Sequence, residues 1–309
     1  MRDIFNLYIS VVIPTHNRKL LLKRALESLL HQSYQQFECI VHDNFSNDGT
    51  DVFVENWVKE NKPEFEIKYF RSQNLLPILD NWEKAIEKAS NEFIKILWDD
   101  DWLSQDALEV FVNTLSLENA DGVIASSYIV RKNENIKSYI SNTNKRVIKE
   151  RDVVNSVFEF NNNLPLSPSS SILRKNIVID AFKAFDYKGF CRNKVIGIDL
   201  MINYHGVFNE KKIIRVENYL SYLDASEDSI TENTSSIHLG LCYFSALYKM
   251  CQDVNYKLSL EQINILEFIS NFLIFSKKEG FYLPSRSVSF KGIIYVIKYL
   301  IYKLKRKLS

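Results

Sequence analysis

The segment YISVVIPTHNRKLLLKRALESLLHQ, residues 8–32, joins two patterns of different period. Its first part, YISVVIP, is rich in β-branched residues and apolar at consecutive positions, which is typical of a strand buried on both faces of a parallel sheet. Pro14 then predicts the end of that strand. Apolar residues recur at helical spacing in the second part, so the segment predicts a strand followed by a helix packed on it.

The same alternation continues along the chain. FECIVHD (37–43), EIKYFRS (66–72) and FIKILWD (93–99) predict strands, and TDVFVENWVKEN (50–61) and ILDNWEKAIEKAS (78–90) predict helices. This order indicates right-handed β-α-β units, hence an α/β fold with a mostly parallel sheet flanked by helices. Ligands of such sheets bind beyond the carboxyl ends of the strands. We therefore expect Asp43 and the run from Asp99 to Asp101 to converge on one crevice.

The remaining chain is less regular. DGVIASSYIVRK (121–132) predicts a strand, the Asn-rich stretch 134–149 a loop or irregular hairpin, and IIRVENYLSYLDASEDSIT (213–231) a strand that runs into an exposed loop, a candidate lid. From about Ser235 the pattern is helical. We predict a catalytic domain over residues 1–234 and a helical region over residues 235–309.

The last segment, FKGIIYVIKYLIYKLKRKLS (290–309), mixes basic and apolar residues. Its apolar stretch is shorter than the ~20 residues that span a bilayer. The composition suits a helix lying in the headgroup region of an anionic membrane, so residues 288–309 are predicted to bind a membrane surface. The alternative is a helix packed on its own domain with a solvated basic end.

Composition describes a globular protein. The 309 residues are 46% hydrophobic and 25% charged with a net charge of +1, which excludes a disordered chain and gives no support for a nucleic-acid partner. The four cysteines show no paired spacing, so we expect reduced thiols and a cytoplasmic protein. The N-terminus lacks the pattern of a signal peptide. Together with the basic tail, this predicts a peripheral protein at the inner face of the cell membrane.

Three segments together resemble one family. VVIPTHNR (11–18), IVHDNFSNDGT (40–50) and ILWDDDWL (96–103) resemble, in this order and at these separations, the opening strand, the second strand with its Asp loop and the acidic motif of family-2 glycosyltransferases. The resemblance covers about residues 8 to 110 and extends more loosely over 165–230. It implies the GT-A nucleotide-sugar fold and transfer of a sugar from a nucleotide donor.

A bound divalent cation would account for three adjacent acidic residues. Three adjacent carboxylates repel one another, but a divalent ion can bridge them to the diphosphate of the donor, and Mg²⁺ and Mn²⁺ prefer such oxygen ligands. The resemblance implies Mn²⁺ or Mg²⁺ bound by Asp99 and Asp101, which match a D-x-D spacing literally, although other registers also fit. Asp99 and Asp100 are further expected to bind the donor. The alternative is a solvated turn that caps the following helix.

The resemblance also implies a nucleotide pocket. Asp43 would accept a hydrogen bond from the ring N–H of a uracil base. The first loop would line the same pocket, with Thr15 as a direct contact and Arg18 as a phosphate partner; the residues expected there are Pro14, Thr15, Asn17 and Arg18.

A purely local role for the Asp43 loop is also open. Asp43, Ser46 and Asp48 could order a turn into the next helix, and both roles can hold at once. Asn44 and Phe45 stand where the family usually has a second Asp and a Gly, a departure at the base site.

A third piece, GIDLM (197–201), resembles the family's E-D motif with Ile198 in place of Glu. By this resemblance Asp199 is the catalytic base that takes the proton from the acceptor hydroxyl in an inverting reaction. The alternative is an Asp that simply begins a helix. PSSSILRKN (168–176) resembles the segment that precedes the base and helps to form the acceptor pocket.

Other enzyme classes fit less well. Sugar-nucleotide nucleotidyltransferases and dinucleotide oxidoreductases use a Gly-rich phosphate loop after the first strand, and PTHNRKLLL has no glycine. We therefore predict an inverting, metal-dependent transferase that moves a hexose or N-acetylhexosamine from a UDP-linked donor to a glycan or lipid-linked acceptor in surface polysaccharide synthesis. A non-catalytic relative that binds nucleotide sugars or acts as a membrane scaffold is the alternative.

Overall fold

A computed structural model describes residues 7–131, 134–138, 146–159, 164–185, 195–225 and 236–265. The chain divides into two compact units, each built from separate segments. Unit 1 comprises Met1–Ile148, Asn162–Asp180 and Glu210–Ser226, and unit 2 comprises Lys149–Asn161, Ala181–Asn209 and Glu227–Ser309. The predicted domain division at residues 234/235 stays a prediction.

The first half of unit 1 alternates as predicted. Its elements are β1 (Ile9–Thr15), α1 (Lys19–Leu30), β2 (Phe37–Asp43), α2 (Thr50–Asn61), β3 (Glu66–Arg71), α3 (Ile78–Glu87) and β4 (Phe93–Ile96). The predicted end of β1 at Pro14 was wrong. β1 continues to Thr15, which pairs with Asp43. A proline keeps an extended backbone and removes only one donor, so the strand passes through it.

The second half of unit 1 adds strands that pair mostly antiparallel. These are β5 (Trp102–Leu103), β6 (Gly122–Arg131), β7 (Glu134–Ser138), β8 (Ser171–Arg174) and β9 (Ile213–Asp224), with helix α4 (Ala107–Glu118) after β5. The exception is that β6 and β9 run parallel to each other. β6 and β7 pair antiparallel, so the start of the Asn-rich stretch is a hairpin strand. A single 3-10 turn, Pro168–Ser170, leads into β8.

The remaining helices are α5 (Glu150–Glu159), α6 (Lys175–Ala184), α7 (Ile198–Phe208) and α8 (Ser236–Asp253). Unit 2 includes α5, α7, α8 and the end of α6. In the described part of the chain, no helix is long and apolar enough to cross a membrane. The predicted membrane segment, residues 288–309, lies outside the described residues.

The described strands form one sheet in the order β3-β2-β1-β4-β8-β6-β9-β5, with β7 beside β6. β1 to β4 run parallel to one another, as predicted for the α/β fold. The chain builds β2 and β3 on one side of β1 and then crosses to place β4 on the other side. The topological switch point, where ligands bind in such sheets, is therefore between β1 and β4.

Every residue of β1 and β2 is buried, as their consecutive apolar residues predict. α1 covers them with Leu22, Ala25, Leu26 and Leu29. These two central strands and their helix are a rigid base for the loops that follow the strands.

Candidate active site

Thr15 joins the two carboxylate positions that the sequence predicts to meet. As the last residue of β1 it pairs with Asp43, the last residue of β2. Its Oγ1 donates a hydrogen bond to Oδ2 of Asp99 over 2.7 Å. Asp43 and Asp99 thus lie on either side of Thr15, at the carboxyl ends of neighbouring strands.

Arg18 supplies a positive charge to the acidic run. Its Nη1 lies 3.1 Å from Oδ1 of Asp99 and 3.2 Å from Oδ2 of Asp100. The Arg18 side chain is 37% exposed whereas that of Asp99 is 7% exposed, so the arginine reaches solvent and the carboxylate does not. Such a guanidinium can also pair with phosphate oxygens.

A fourth carboxylate and a second arginine join this group. The backbone N–H of Asp224 donates to Oδ1 of Asp101 over 3.0 Å. Arg24 Nη2 lies 2.5 Å from Oδ2 of Asp224 and 2.5 Å from the carbonyl oxygen of Asp100. The sequence placed Asp224 only at the start of a candidate lid, and no sequence signal pointed to Arg24, which is one of several polar residues on α1.

Burial disfavours the ionised form of the three carboxyl groups in the acidic run. Burial raises the pKa of Asp99 and of Asp101 above the usual range. Burial, followed by repulsion from Asp99, raises the pKa of Asp100 to about 6. Arg18 opposes this rise at both Asp99 and Asp100. Carboxylate oxygens are hard donors of the kind that Mg²⁺ and Mn²⁺ prefer, and a bound cation would favour their ionised form.

The acidic cluster does not by itself provide a complete set of metal ligands. Within the described residues, no three His, Cys, Asp or Glu side chains converge as a set of metal ligands. Mg²⁺ is commonly held by one or two carboxylates and completes its coordination with substrate phosphates and water. The residues therefore fit a cation that is held jointly with a phosphate ligand.

The alternative role for the acidic run, capping the next helix, does not match the chain path. β5 separates the run from α4, and Asp106 occupies the N-cap position of α4.

Lys95 and Ser169 hold the chain segment that leads into the acidic run. The Nζ of Lys95 is fully buried and donates to the backbone carbonyl of Ser169, and burial lowers its pKa to about 7. Ser169 Oγ accepts from the backbone N–H of Trp98 over 3.1 Å. The PSSS segment, predicted to help form the acceptor pocket, thus holds the end of β4 in place.

Asp43 is in a different environment. It is completely buried, and its Oδ1 accepts from the N–H and Oγ of Ser46 at 2.9 and 2.5 Å. Its Oδ2 accepts from the Tyr69 hydroxyl at 2.5 Å and lies 3.7 Å from Nε of Arg71. These contacts agree with the turn-ordering role. The role of Asp43 as a base contact remains a prediction.

The loops after β1 and β2 are tied together. The N–H of Asn17 donates to Ser46 Oγ over 2.8 Å, and Asn17 Oδ1 accepts from the N–H of Asn47 over 2.8 Å. Asn17 has φ 51°, a conformation that Asn tolerates better than most residues. Pro14 stays within β1, opposite His42. Of the predicted pocket residues, Thr15 and Arg18 therefore contact the acidic run, whereas Asn17 organises the neighbouring loop.

Asp199 belongs to unit 2. It lies in the first turn of α7, is partly buried, and accepts a hydrogen bond of 3.4 Å from the Tyr243 hydroxyl. Burial raises its pKa to about 6. Gly197 before it has φ 93°, and a Cβ there would lie 2.9 Å from the carbonyl oxygen of Cys242, so the start of α7 requires glycine. Asp199 begins a helix, as the alternative proposed, and has the raised pKa that suits a base.

The parallel strands β1 to β4, with carboxylates at their switch point, are typical of α/β proteins that bind nucleotides. The chain matches the model of Glycosyl transferase family 2 over residues 10–182 and belongs to that family. The suspected family is thereby confirmed, and the protein is a glycosyltransferase.

Two curated relatives differ in how much of the chain they match. A GalNAc(5)-diNAcBac-PP-undecaprenol beta-1,3-glucosyltransferase of Campylobacter jejuni is 25% identical over 81% of this chain and 78% of its own length. The abequosyltransferase RfbV of Salmonella typhimurium is 33% identical over 33% of this chain and 31% of its own length.

Solved structures share the fold. S. aureus TarS 1-349 in complex with UDP superposes with a TM-score of 0.58 at 16% identity, covering 88% of this chain and 72% of TarS. The mannosyltransferase PcManGT from Pyrobaculum calidifontis, in complex with GDP-Man and Mn²⁺, gives a TM-score of 0.52 at 14% identity, covering 96% and 80%. The predicted GT-A fold is confirmed.

Proposed function

We propose that this glycosyltransferase is an inverting enzyme that transfers a hexose or N-acetylhexosamine from a UDP-linked donor to a hydroxyl of a glycan or lipid-linked acceptor in surface polysaccharide synthesis. One observation carries the proposal. Asp99, Asp100 and Asp101 gather at the switch point between β1 and β4, with Thr15 and Arg18 beside them. A diphosphate is a ligand that a cation and an arginine can bind together at such a place.

In this proposal Asp99 and Asp101 hold a divalent cation, Mn²⁺ or Mg²⁺. When bound, the cation supplies Lewis-acid stabilisation of the departing diphosphate. Arg18 is close enough to Asp99 and Asp100 to contact the same phosphates, and its exposed side chain can shift toward them. TarS was crystallised with UDP and PcManGT with GDP-Man and Mn²⁺, which supports a nucleotide donor with a metal.

Asp199 takes the proton from the acceptor hydroxyl as that oxygen attacks the anomeric carbon. A carboxyl whose pKa is about 6 is ionised at neutral pH and is a stronger base than an ordinary aspartate. The Campylobacter relative is named for a β linkage, which inversion produces from an α-linked donor sugar. This name also supports a lipid-linked glycan as acceptor.

A lipid-linked acceptor would place the enzyme at the cytoplasmic membrane face, through the basic and apolar residues 288–309. Deleting residues 288–309 should release the protein from anionic vesicles in a sedimentation assay while nucleotide binding is retained. Continued sedimentation of the truncated protein would reject this part of the proposal.

The central experiment is calorimetric titration of UDP, GDP and dTDP with and without Mn²⁺, on the protein and on the double variant Asp99→Ala, Asp101→Ala. We expect Mn²⁺-dependent binding of UDP that the double variant loses. The variant Asp106→Ala, which alters an aspartate at the start of α4, is the matched control and should bind UDP normally.

The outcomes separate the candidates. Absence of nucleotide binding by the folded protein rejects the proposed donor site. Normal metal and nucleotide binding without transfer to any acceptor would instead favour the non-catalytic relative.

A further inference from the structure

Phe45 has a backbone conformation that its side chain disfavours. Its φ is 62°, in the left-handed region that glycine adopts freely and that is a clear outlier for a bulky residue. The family usually has glycine at this position, which fits the backbone better. Strained residues persist where the surrounding structure holds them, and they concentrate at functional sites.

The side chain of Phe45 is not buried in the core. Phe45 is 46% exposed, although the residues on either side, Asn44 and Ser46, are buried. The Arg71 guanidinium carbon lies 5.5 Å from the ring centroid. Arg71 is itself fixed, since it donates to the carbonyl oxygen of Ser46 over 2.6 Å. One side of the ring is thus supported by a positioned cation while much of the ring area remains accessible.

The location of Phe45 relates it to the proposed donor site. Phe45 follows β2 two residues after Asp43, whereas the acidic run follows β4, and β1 lies between these two strands. Two strand spacings correspond to about 10 Å. The backbone N–H of Asn44 donates to the carbonyl oxygen of Thr15 over 2.9 Å, so the loop that carries Phe45 is anchored to the strand between them.

We propose that Phe45 is the stacking platform for the nucleobase of the donor. This inference rests on the proposed function, because it requires the diphosphate at the end of β4 and the base on the β2 side. Aromatic rings stack on any base, since every base has a π-face. A Phe in place of the usual glycine therefore adds affinity for the nucleoside without selecting one base.

The test compares ligands with and without a base. In the variant Phe45→Gly, UDP and GDP titrated in the presence of Mg²⁺ should bind about 10-fold more weakly, the scale of one base–aromatic stack. Inorganic pyrophosphate with Mg²⁺ should bind as tightly as to the unaltered protein. The unfolding temperature should not fall, because glycine relieves the left-handed backbone. The variant Phe45→Trp should retain UDP binding.

A second left-handed residue provides the control. Lys62, at the end of α2, has φ 45°, and Lys62→Gly changes the backbone in the same way but should leave UDP affinity unchanged. The inference is overturned if Phe45→Gly binds UDP as tightly as the unaltered protein, or if it weakens pyrophosphate equally. If the unaltered protein binds no nucleotide, the proposed function itself fails.

Discussion

Asp43 and the run Asp99–Asp101 lie on either side of Thr15, yet the groups that surround the carboxylates differ between the two regions. Around Asp43, Ser46 and the Tyr69 hydroxyl donate to the carboxylate, and Arg71 lies nearby. In the acidic run, Asp100 and Asp101 each have a neighbouring carboxylate whose repulsion adds to burial in raising the pKa.

The difference shows why the same residue type can be structural in one place and reactive in the other. A carboxylate has about four lone-pair positions, and three hydrogen bonds from Ser46 and Tyr69 already use most of those of Asp43. The acidic run has Arg18 and Arg24 as positive neighbours, and burial with mutual repulsion still raises the pKa of Asp100. A ligand cation would favour the ionised form of these carboxylates.

The largest expected effect concerns Asp199, which should carry chemistry without binding the donor. In the variant Asp199→Asn, kcat for sugar transfer should fall by ~10²–10⁴-fold, the usual contribution of a positioned base. The affinity for UDP, measured by calorimetry, should not change. Loss of UDP binding together with kcat would assign Asp199 to the donor site instead.

The pH dependence of kcat/KM provides a second test of the role of Asp199. Since Asp199 must be ionised to accept a proton and its pKa is about 6, kcat/KM should decrease below pH 6. The raised pKa means that the folded state binds the proton more tightly than the unfolded state. The contribution of Asp199 to stability is therefore present at low pH and is lost as pH rises through about 6. Asp199→Asn should lack this part of the pH dependence of the unfolding temperature.

Next in size is the loss of the structural carboxylate. Asp43→Ala leaves the Tyr69 hydroxyl and the Ser46 N–H without their acceptor, so the free energy of unfolding should fall by about 3 kcal/mol. Urea unfolding measures this loss. Asp43→Asn keeps an acceptor oxygen and should lose less. If Asp43→Ala were as stable as the unaltered protein, the contrast between the two regions would be wrong.

The smallest expected effect has the opposite sign. Asp100→Asn removes one like charge beside Asp99 while Arg18 keeps its partner Asp99. Without divalent cations the free energy of unfolding should rise by about 0.5 kcal/mol, the scale of a single partly exposed charge interaction. Saturating Mg²⁺ should remove the advantage if the cation neutralises the run. A decrease in stability without cations would mean that the run is already neutralised.

Much of the first half of the fold was predictable from local patterns. The bounds of β2 and α2 agree residue for residue with the patterns FECIVHD and TDVFVENWVKEN. The short strands β5 and β8 were not predicted, because two or four residues give no readable period. Asp224 was noticed only as part of a loop, and Arg24 not at all, since the two residues that pair are 200 positions apart.

The sequence by itself determined the alternation of strands and helices, and with it the placement of Asp43 and Asp99 at carboxyl ends of parallel strands. Periodicity alone is enough for this, because burial repeats along each element. Only the tertiary structure decided that Asp43 accepts hydrogen bonds from Tyr69 and Ser46, and that Phe45 holds an exposed ring on a left-handed backbone. Charge balance and backbone strain depend on contacts between distant segments, which no local pattern contains.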